Sequence, residues 1–196
     1  MTTFRARVVL LACAVAGSLA PSGPTLARAY EKPVFVDGRV FPVARTSWYS
    51  VINFTNDWHA PRMRFIDGEW LQVGVHEGTD IFAEPGTPVR SISGGVVENL
   101  GWTFYSGWRV GVRGDDGRYW FYAHLLRFAP GIVEGARVEP GDRLGTVGNT
   151  GYGSRPGHRD EFTWHLHFGL QEADGTWVNP YPMLRELYRA ATRERS

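Results

Sequence analysis

The sequence predicts a mainly β fold, an antiparallel sheet closed by a short C-terminal helix. Short runs rich in β-branched and aromatic residues, Val89 to Val97, Trp108 to Arg113, Arg118 to His124 and Arg143 to Val147, are separated by Gly, Pro and Asp turns. Helical spacing appears near the end, where Met183, Leu184, Leu187, Tyr188 and Ala191 recur on one face.

The elements follow in chain order. Arg5 and Arg7 precede an apolar run from Val8 to about Leu19, and Ala27-Arg28-Ala29 offers a small-x-small cleavage site before Tyr30. Residues 1–29 therefore read as a secretory signal peptide. The run is short for a membrane span, so membrane association is expected only through an uncleaved signal. Residues 30–71 read as an ordered lead-in that packs on the domain through aromatics such as Trp48, Phe54 and Trp58. Residues 72–188 form the domain proper, and 189–196 a tail. Within the domain, Gly114-Asp115-Asp116-Gly117 is a strong hairpin connection. Gly94-Gly95 and the glycines from Gly148 to Gly153 suit tight turns rather than phosphate binding, because no P-loop Lys-Ser/Thr follows. Leu100 to Trp108 and Tyr152 to Trp164 read as loops.

Charge and cysteine content narrow the function classes. If cleavage follows Ala29, the 21 basic residues lose Arg5, Arg7 and Arg28, so the 20 acidic residues outnumber them. No long basic run argues for nucleic acid. The single cysteine, Cys13, leaves with the signal, so neither disulfides nor thiol chemistry contributes.

Two strings carry chemistry: His76-Glu77-Gly78-Thr79-Asp80 and His165-Leu166-His167. Zinc accepts imidazole nitrogen and carboxylate oxygen at about 2 Å, and a catalytic site takes three protein ligands. His76, Asp80 and one of the two later histidines would fill those places. His76-Glu77 begins like the H-E-x-x-H helix, but the fifth residue is Asp80, and Gly78 and Thr79 disfavour helix. Phe162 to Leu170 instead suits a strand, on which His165 and His167 share a face with Cα atoms about 6.6 Å apart. One can bind a metal while its neighbour serves acid-base work. His124, at the end of a strand-like run, is a third candidate. Glu77, on an extended segment, points away from His76. His59 and His158 match no motif. Trp102, Phe104, Tyr105 and Trp108 suit either a cleft wall or packing.

From His76 to about Leu187 the chain resembles the lysostaphin/LytM-type zinc endopeptidases of bacterial cell walls. The H-x-x-x-D string, Tyr122-Ala123-His124-Leu125 and His165-Leu166-His167 occur in the family's order, together with Gly86-Thr87-Pro88-Val89, Val138-Glu139-Pro140-Gly141 and Gly148-Asn149-Thr150-Gly151. The resemblance implies a LytM-type peptidase domain with long loops around a zinc cleft. It makes His76, Asp80 and His167 the Zn2+ ligands, and His124 and His165 the histidines that serve catalysis. Within the family, Trp102 to Gly111 and Asn179-Pro180-Tyr181-Pro182 look most like a Bacillus-type sporulation branch that cuts L-Ala-D-Glu. The chain departs from the family pattern at Trp164, where a proline is usual, and at Gly169, where an acidic residue is frequent.

The signal segment implies a secreted or cell-envelope location, and a monomer is expected because intramolecular packing accounts for the amphipathic helix and the aromatics. The resemblance implies hydrolysis of peptide bonds in peptidoglycan stem peptides or cross-bridges, with peptidoglycan as the partner. The alternative is a latent or noncatalytic wall-binding or amidase-regulating module. Loss of a ligand or catalytic histidine would favour that alternative, and all five residues are present.

Overall fold

The computed structural model describes residues 30–46, 51–159 and 162–193; the expected signal segment and Trp48 lie outside the described residues. In chain order the elements are β1 (Phe35–Val36), β2 (Arg39–Val40), β3 (Pro61–Ile66), β4 (Glu69–Val75), β5 (Thr79–Phe82), β6 (Pro88–Arg90), β7 (Gly95–Thr103), β8 (Gly107–Gly114), β9 (Tyr119–Phe128), β10 (Arg137–Val138), β11 (Arg143–Val147), β12 (His165–Gln171) and α1 (Tyr181–Arg193). The mainly antiparallel fold with one C-terminal helix is the one the sequence predicts. β1–β2 and β3–β4 are separate two-stranded ribbons. The other eight strands form one sheet, ordered β10-β7-β8-β9-β11-β6, with β12 joined to β9 and β5.

The hairpin between β8 and β9 forms where Gly114-Asp115-Asp116-Gly117 predicts it. Gly114 N–H donates to Arg118 O at 2.8 Å, and Gly117 takes φ 82°, which glycine adopts without cost. Two expectations change. Val89 to Val97 is two strands, because the chain leaves the sheet after Arg90: Ser91 N–H donates to Asp142 O and Ile92 N–H to the Tyr122 hydroxyl oxygen. The expected loop Leu100 to Trp108 is largely ladder, with Trp102 opposite Trp108 and Thr103 opposite Gly107.

β9 is the hub. Its first half pairs with β12, from Tyr119↔Gln171 to Ala123↔His167, and its second half pairs with β11 from Leu125 onward. Around this fork sit the fully buried Trp120, Tyr122, Leu125, Leu144, Leu166 and Phe168. Burying each such side chain stabilises by roughly 1.5–3 kcal/mol, and cutting Leu166 to Ala would cost about 2–5 kcal/mol. Ile81, on β5, is also fully buried, which anchors the strand that carries Asp80.

The residues before β3 contribute to the same core. Val40, Phe41, Val43 and Ala44 are buried. Phe41 meets Phe54 and Tyr188 at ring distances of 5.5 and 5.1 Å, so this segment and α1 share one aromatic cluster. α1 buries Leu184 and Leu187. Its start is capped by Asn179, whose side-chain oxygen accepts from Tyr181 N–H at 3.0 Å.

Candidate metal centre

β5 and β12 run side by side with Asp80 directly opposite His167. His76 lies just before β5, where its backbone exchanges hydrogen bonds with His59 and Ala60 at 2.9 Å each. Sheet register therefore brings together residues that are far apart in sequence. His76 Nε2 is 2.9 Å from His167 Nδ1 and 3.1 Å from Asp80 Oδ1, and His167 Nδ1 is 2.9 Å from that same oxygen. Donors at about 2 Å from a tetrahedral zinc stand about 3.3 Å apart, so these three converge at nearly the spacing a metal needs. A His-Asp-His set is also the hard-to-borderline donor mixture that suits zinc.

The surroundings fix how each donor is presented. His76 Nδ1 faces Asp57, at 3.2 Å from its carbonyl and 3.0 Å from its carboxylate. Both can only accept, so Nδ1 carries the proton and Nε2 is the nitrogen turned to the cluster. Burial opposes charging His76, but the hydrogen bonds to the Asp57 and Asp80 carboxylates outweigh it and raise its pKa to about 9. Burial would likewise raise Asp80, yet hydrogen bonds from His167 and His76 hold its carboxyl far below the usual range. Without metal the cluster is an ion pair, and Asp80 is ready as an anionic ligand.

Gly78 makes room for the third donor. A Cβ there would lie 2.5 Å from His167 Cε1 and 2.7 Å from the Phe168 carbonyl oxygen. Glycine at this position lets β12 bring the imidazole against β5. Glu77, by contrast, is exposed.

His124 and His165 complete the cluster. Between Trp108↔Leu125 and Val110↔Tyr122, β8 contributes one residue and β9 two, so β9 bulges at Ala123 and His124. His124 takes φ 60°, a conformation that non-glycine residues hold only when neighbours enforce it. Its N–H donates to Ser106 O at 2.8 Å, and its Nδ1–H to Thr150 O at 2.8 Å. His165 Nδ1–H donates to Thr163 O at 2.7 Å. Each Nε2 is left as a bare lone pair, and the two rings are 4.8 Å apart. Burial pushes His124 down to about 3, and burial also lowers His165. Both are neutral acceptors near pH 7. His165 Nε2 is 3.7 Å from Asp80 Oδ1.

The five residues singled out in the sequence thus cluster between two hollows: His76, His124 and His167 line one of about 400 Å³, walled further by Tyr105, Phe121, Tyr152 and Trp177, and Asp80, His124 and His165 line its neighbour. Of the other aromatics considered for that wall, Trp102 packs on Trp108, and Trp108 on Phe128. His59 stacks on Trp58 and stays outside the cluster. Gly169 is explained by Trp177, whose ring lies 2.7 Å from where a Cβ would stand. Two residues were missed by sequence reasoning: Asp57, behind His76, and Arg62, whose Nη2 is 3.4 Å from Asp80 Oδ2. Neither belongs to a motif that the sequence displays.

The chain is similar to known proteins in sequence and in fold. The chain is 49% identical over 118 residues to the L-Ala--D-Glu endopeptidase of Bacillus subtilis, a match covering 59% of this chain and 36% of that protein. It is 35% identical over 118 residues to lysostaphin of Staphylococcus simulans, covering 57% and 22% respectively. The matched segment is thus little more than a third of the first relative and less than a quarter of the second. Among solved structures, a lytM protein of Ruminococcus gnavus superposes with a TM-score of 0.64 at 36% identity, over 79% of this chain and 62% of that one. The catalytic domain of S. simulans lysostaphin gives 0.51 at 30% identity, over 68% and 92%. Residues 74–180, more than half of the sequence and inclusive of all five clustered residues, match Peptidase family M23, and the chain belongs to that family.

Proposed function

We propose that the chain is an extracytoplasmic zinc endopeptidase that hydrolyses a peptide bond of peptidoglycan, with the L-Ala–D-Glu bond of the stem peptide as its substrate. The observation that carries this reading is the convergence of two kinds of group in one cleft. Three donor atoms lie within 3.1 Å of one another, and two neutral imidazoles turn their Nε2 atoms toward the same space. The choice of bond rests on the relative that shares 49% identity.

His76 Nε2, Asp80 and His167 Nδ1 would hold the zinc. When bound, zinc lowers the pKa of a water to about 7 and polarises the substrate carbonyl. Asp57 keeps His76 in the tautomer that offers Nε2, and Gly78 keeps His167 in reach. His124 and His165 handle protons. Hydrolysis joins the water oxygen to the carbonyl carbon and breaks the C–N bond, and both water protons end on the departing amine. Two bare Nε2 atoms in one cleft can take such protons in turn and deliver them to the leaving nitrogen. The carbonyl partners Thr150 and Thr163 lock both rings in the accepting tautomer.

The test is incubation of purified protein, zinc-loaded or chelator-treated, with peptidoglycan, followed by mass spectrometry of new peptide ends. New L-Ala carboxyl ends and D-Glu amino ends that appear only with zinc support the reading. Intact stem peptides and cross-links from several wall types would overturn it.

A further inference from the structure

Arg62 sits on β3 opposite Gly74, two residues before His76, at the base of the β3–β4 ribbon. Its guanidinium makes one polar contact among the described residues, the 3.4 Å approach to Asp80 Oδ2. Charge-assisted bonds of this type are usually about 2.7–2.9 Å, so the contact is loose. Asp80 meanwhile directs its other oxygen to both His76 and His167. With a side chain 42% exposed, the guanidinium has most of its five N–H donors unclaimed by the described residues.

Its position in the cleft is what gives it meaning. Arg62 walls the hollow with His76, Tyr105, Phe121 and His124. It also walls the adjoining hollow of about 410 Å³ with Phe82, Phe162 and His165. Arg62, His124 and Tyr152 line both hollows, with His76 and His167 in the first and Asp80 in the second, so a peptide laid through both crosses the metal cluster with Arg62 beside the bond to be cut. Among the described residues, Arg62 is the only Arg or Lys that lines either hollow, while Glu77 and Asp80 contribute negative charge. An anionic substrate group near the scissile bond therefore has one fixed cation to meet.

The proposed substrate supplies such an anion. Whichever of its two carboxyls carries the peptide chain, a glutamyl residue keeps the other free. Resting on the reading of the L-Ala–D-Glu bond, we propose that Arg62 is a specificity-determining residue whose guanidinium binds the free carboxylate of the acidic residue adjoining the scissile bond. A planar fork of N–H donors matches a carboxylate in two parallel hydrogen bonds and makes no equivalent pair with a carboxamide. Substrates amidated at that carboxyl are then discriminated against.

The test measures binding, by calorimetry on the zinc-loaded protein, of γ-D-glutamyl-L-lysine and of its isoglutaminyl twin. These represent the amine side of the bond and leave no such bond to cut. Wild type is expected to bind the glutamyl peptide about 10-fold or more tighter than the twin, the range of a charge-assisted hydrogen bond. Arg62→Gln is expected to bring the two within about 2-fold, mainly by weakening the glutamyl peptide, with zinc content unchanged; Arg62→Lys should restore only part of the preference. Equal binding of both peptides by wild type would overturn the proposal. So would an equal loss on both peptides, or zinc loss, in Arg62→Gln, since either would make Arg62 a positioning residue for Asp80. An Arg62-dependent preference in a protein that leaves peptidoglycan uncut would support this inference while the hydrolytic reading failed.

Discussion

Asp80 and His167 are register partners across the β5–β12 pair, and the imidazole Nδ1 lies 2.9 Å from the carboxylate Oδ1. Because sheet hydrogen bonds rather than loop contacts set this distance, the pair is positioned before any ligand arrives. Asp80→Asn keeps the shape and removes the charge. It is expected to weaken zinc binding at least about 100-fold, more than a supporting residue behind a ligand would. Metal analysis after dialysis, with circular dichroism to confirm the retained sheet, checks this. Stoichiometric zinc in Asp80→Asn would remove Asp80 from the ligand set.

Gly78→Ala is expected to damage the same cluster from its other side. The added methyl meets His167 Cε1 at 2.5 Å and the Phe168 carbonyl at 2.7 Å. A backbone atom cannot swing away, so β5 and β12 must part or the ring must leave. Overpacking of this kind costs about 1–3 kcal/mol. Zinc affinity and hydrolysis should fall together. Gly74→Ala, with open space around its Cβ, serves as the control and should leave zinc affinity unchanged.

His124→Ala and His76→Ala should separate binding from chemistry. His124 hydrogen-bonds Thr150 and meets His167 only edge-on, at a ring distance of 6.0 Å, without supplying any of the three converging donor atoms, so its loss should leave zinc in place. Hydrolysis should drop about 100- to 10,000-fold, the usual worth of a positioned acid or base. His76→Ala should lose zinc and activity together. Equal zinc loss in the two variants would reverse the division of roles, and paired metal and rate measurements decide it.

How much of this was legible in the sequence depended on whether the signal was local. The Gly-Asp-Asp-Gly hairpin and the spacing of Leu184 and Leu187 were readable because turn chemistry and helical period are properties of neighbours in the chain. The β3–β4 ribbon was missed although Asp67-Gly68, both at positive φ, is a hairpin signal. Met63, Phe65, Trp70 and Val73 are all exposed, so no buried face gives this ribbon the alternation that marks a strand. The five clustered residues were found through short strings in a known order. Asp57 and Arg62 were not, because they reach His76 and Asp80 only through tertiary contacts. The bulge that turns His124 inward likewise depends on how β8, β11 and β12 meet β9.

The protonation of His76 gives a pH dependence whose sign can be worked out. In the metal-free protein its pKa stands near 9, against 6.5 for the unperturbed side chain. A raised folded-state pKa means that this group's contribution to stability is fully present below about pH 6.5 and is lost as pH climbs toward 9. The contribution is on the order of 3 kcal/mol at 1.36 kcal/mol per unit. Chelator-treated protein should therefore lose stability to urea across that window, and Asp57→Asn should flatten the loss by removing one of the two carboxylates that hold the proton. Zinc reverses the sign, because it requires the neutral ring. Binding at pH 7 should expel about one proton from His76, and apparent affinity should rise nearly 10-fold per pH unit until about pH 9. Calorimetry in two buffers of different ionisation enthalpy counts that proton directly. Zinc binding at pH 7 without proton release would mean that His76 is already neutral, and the ion pair with Asp80 would have to be abandoned as the metal-free state.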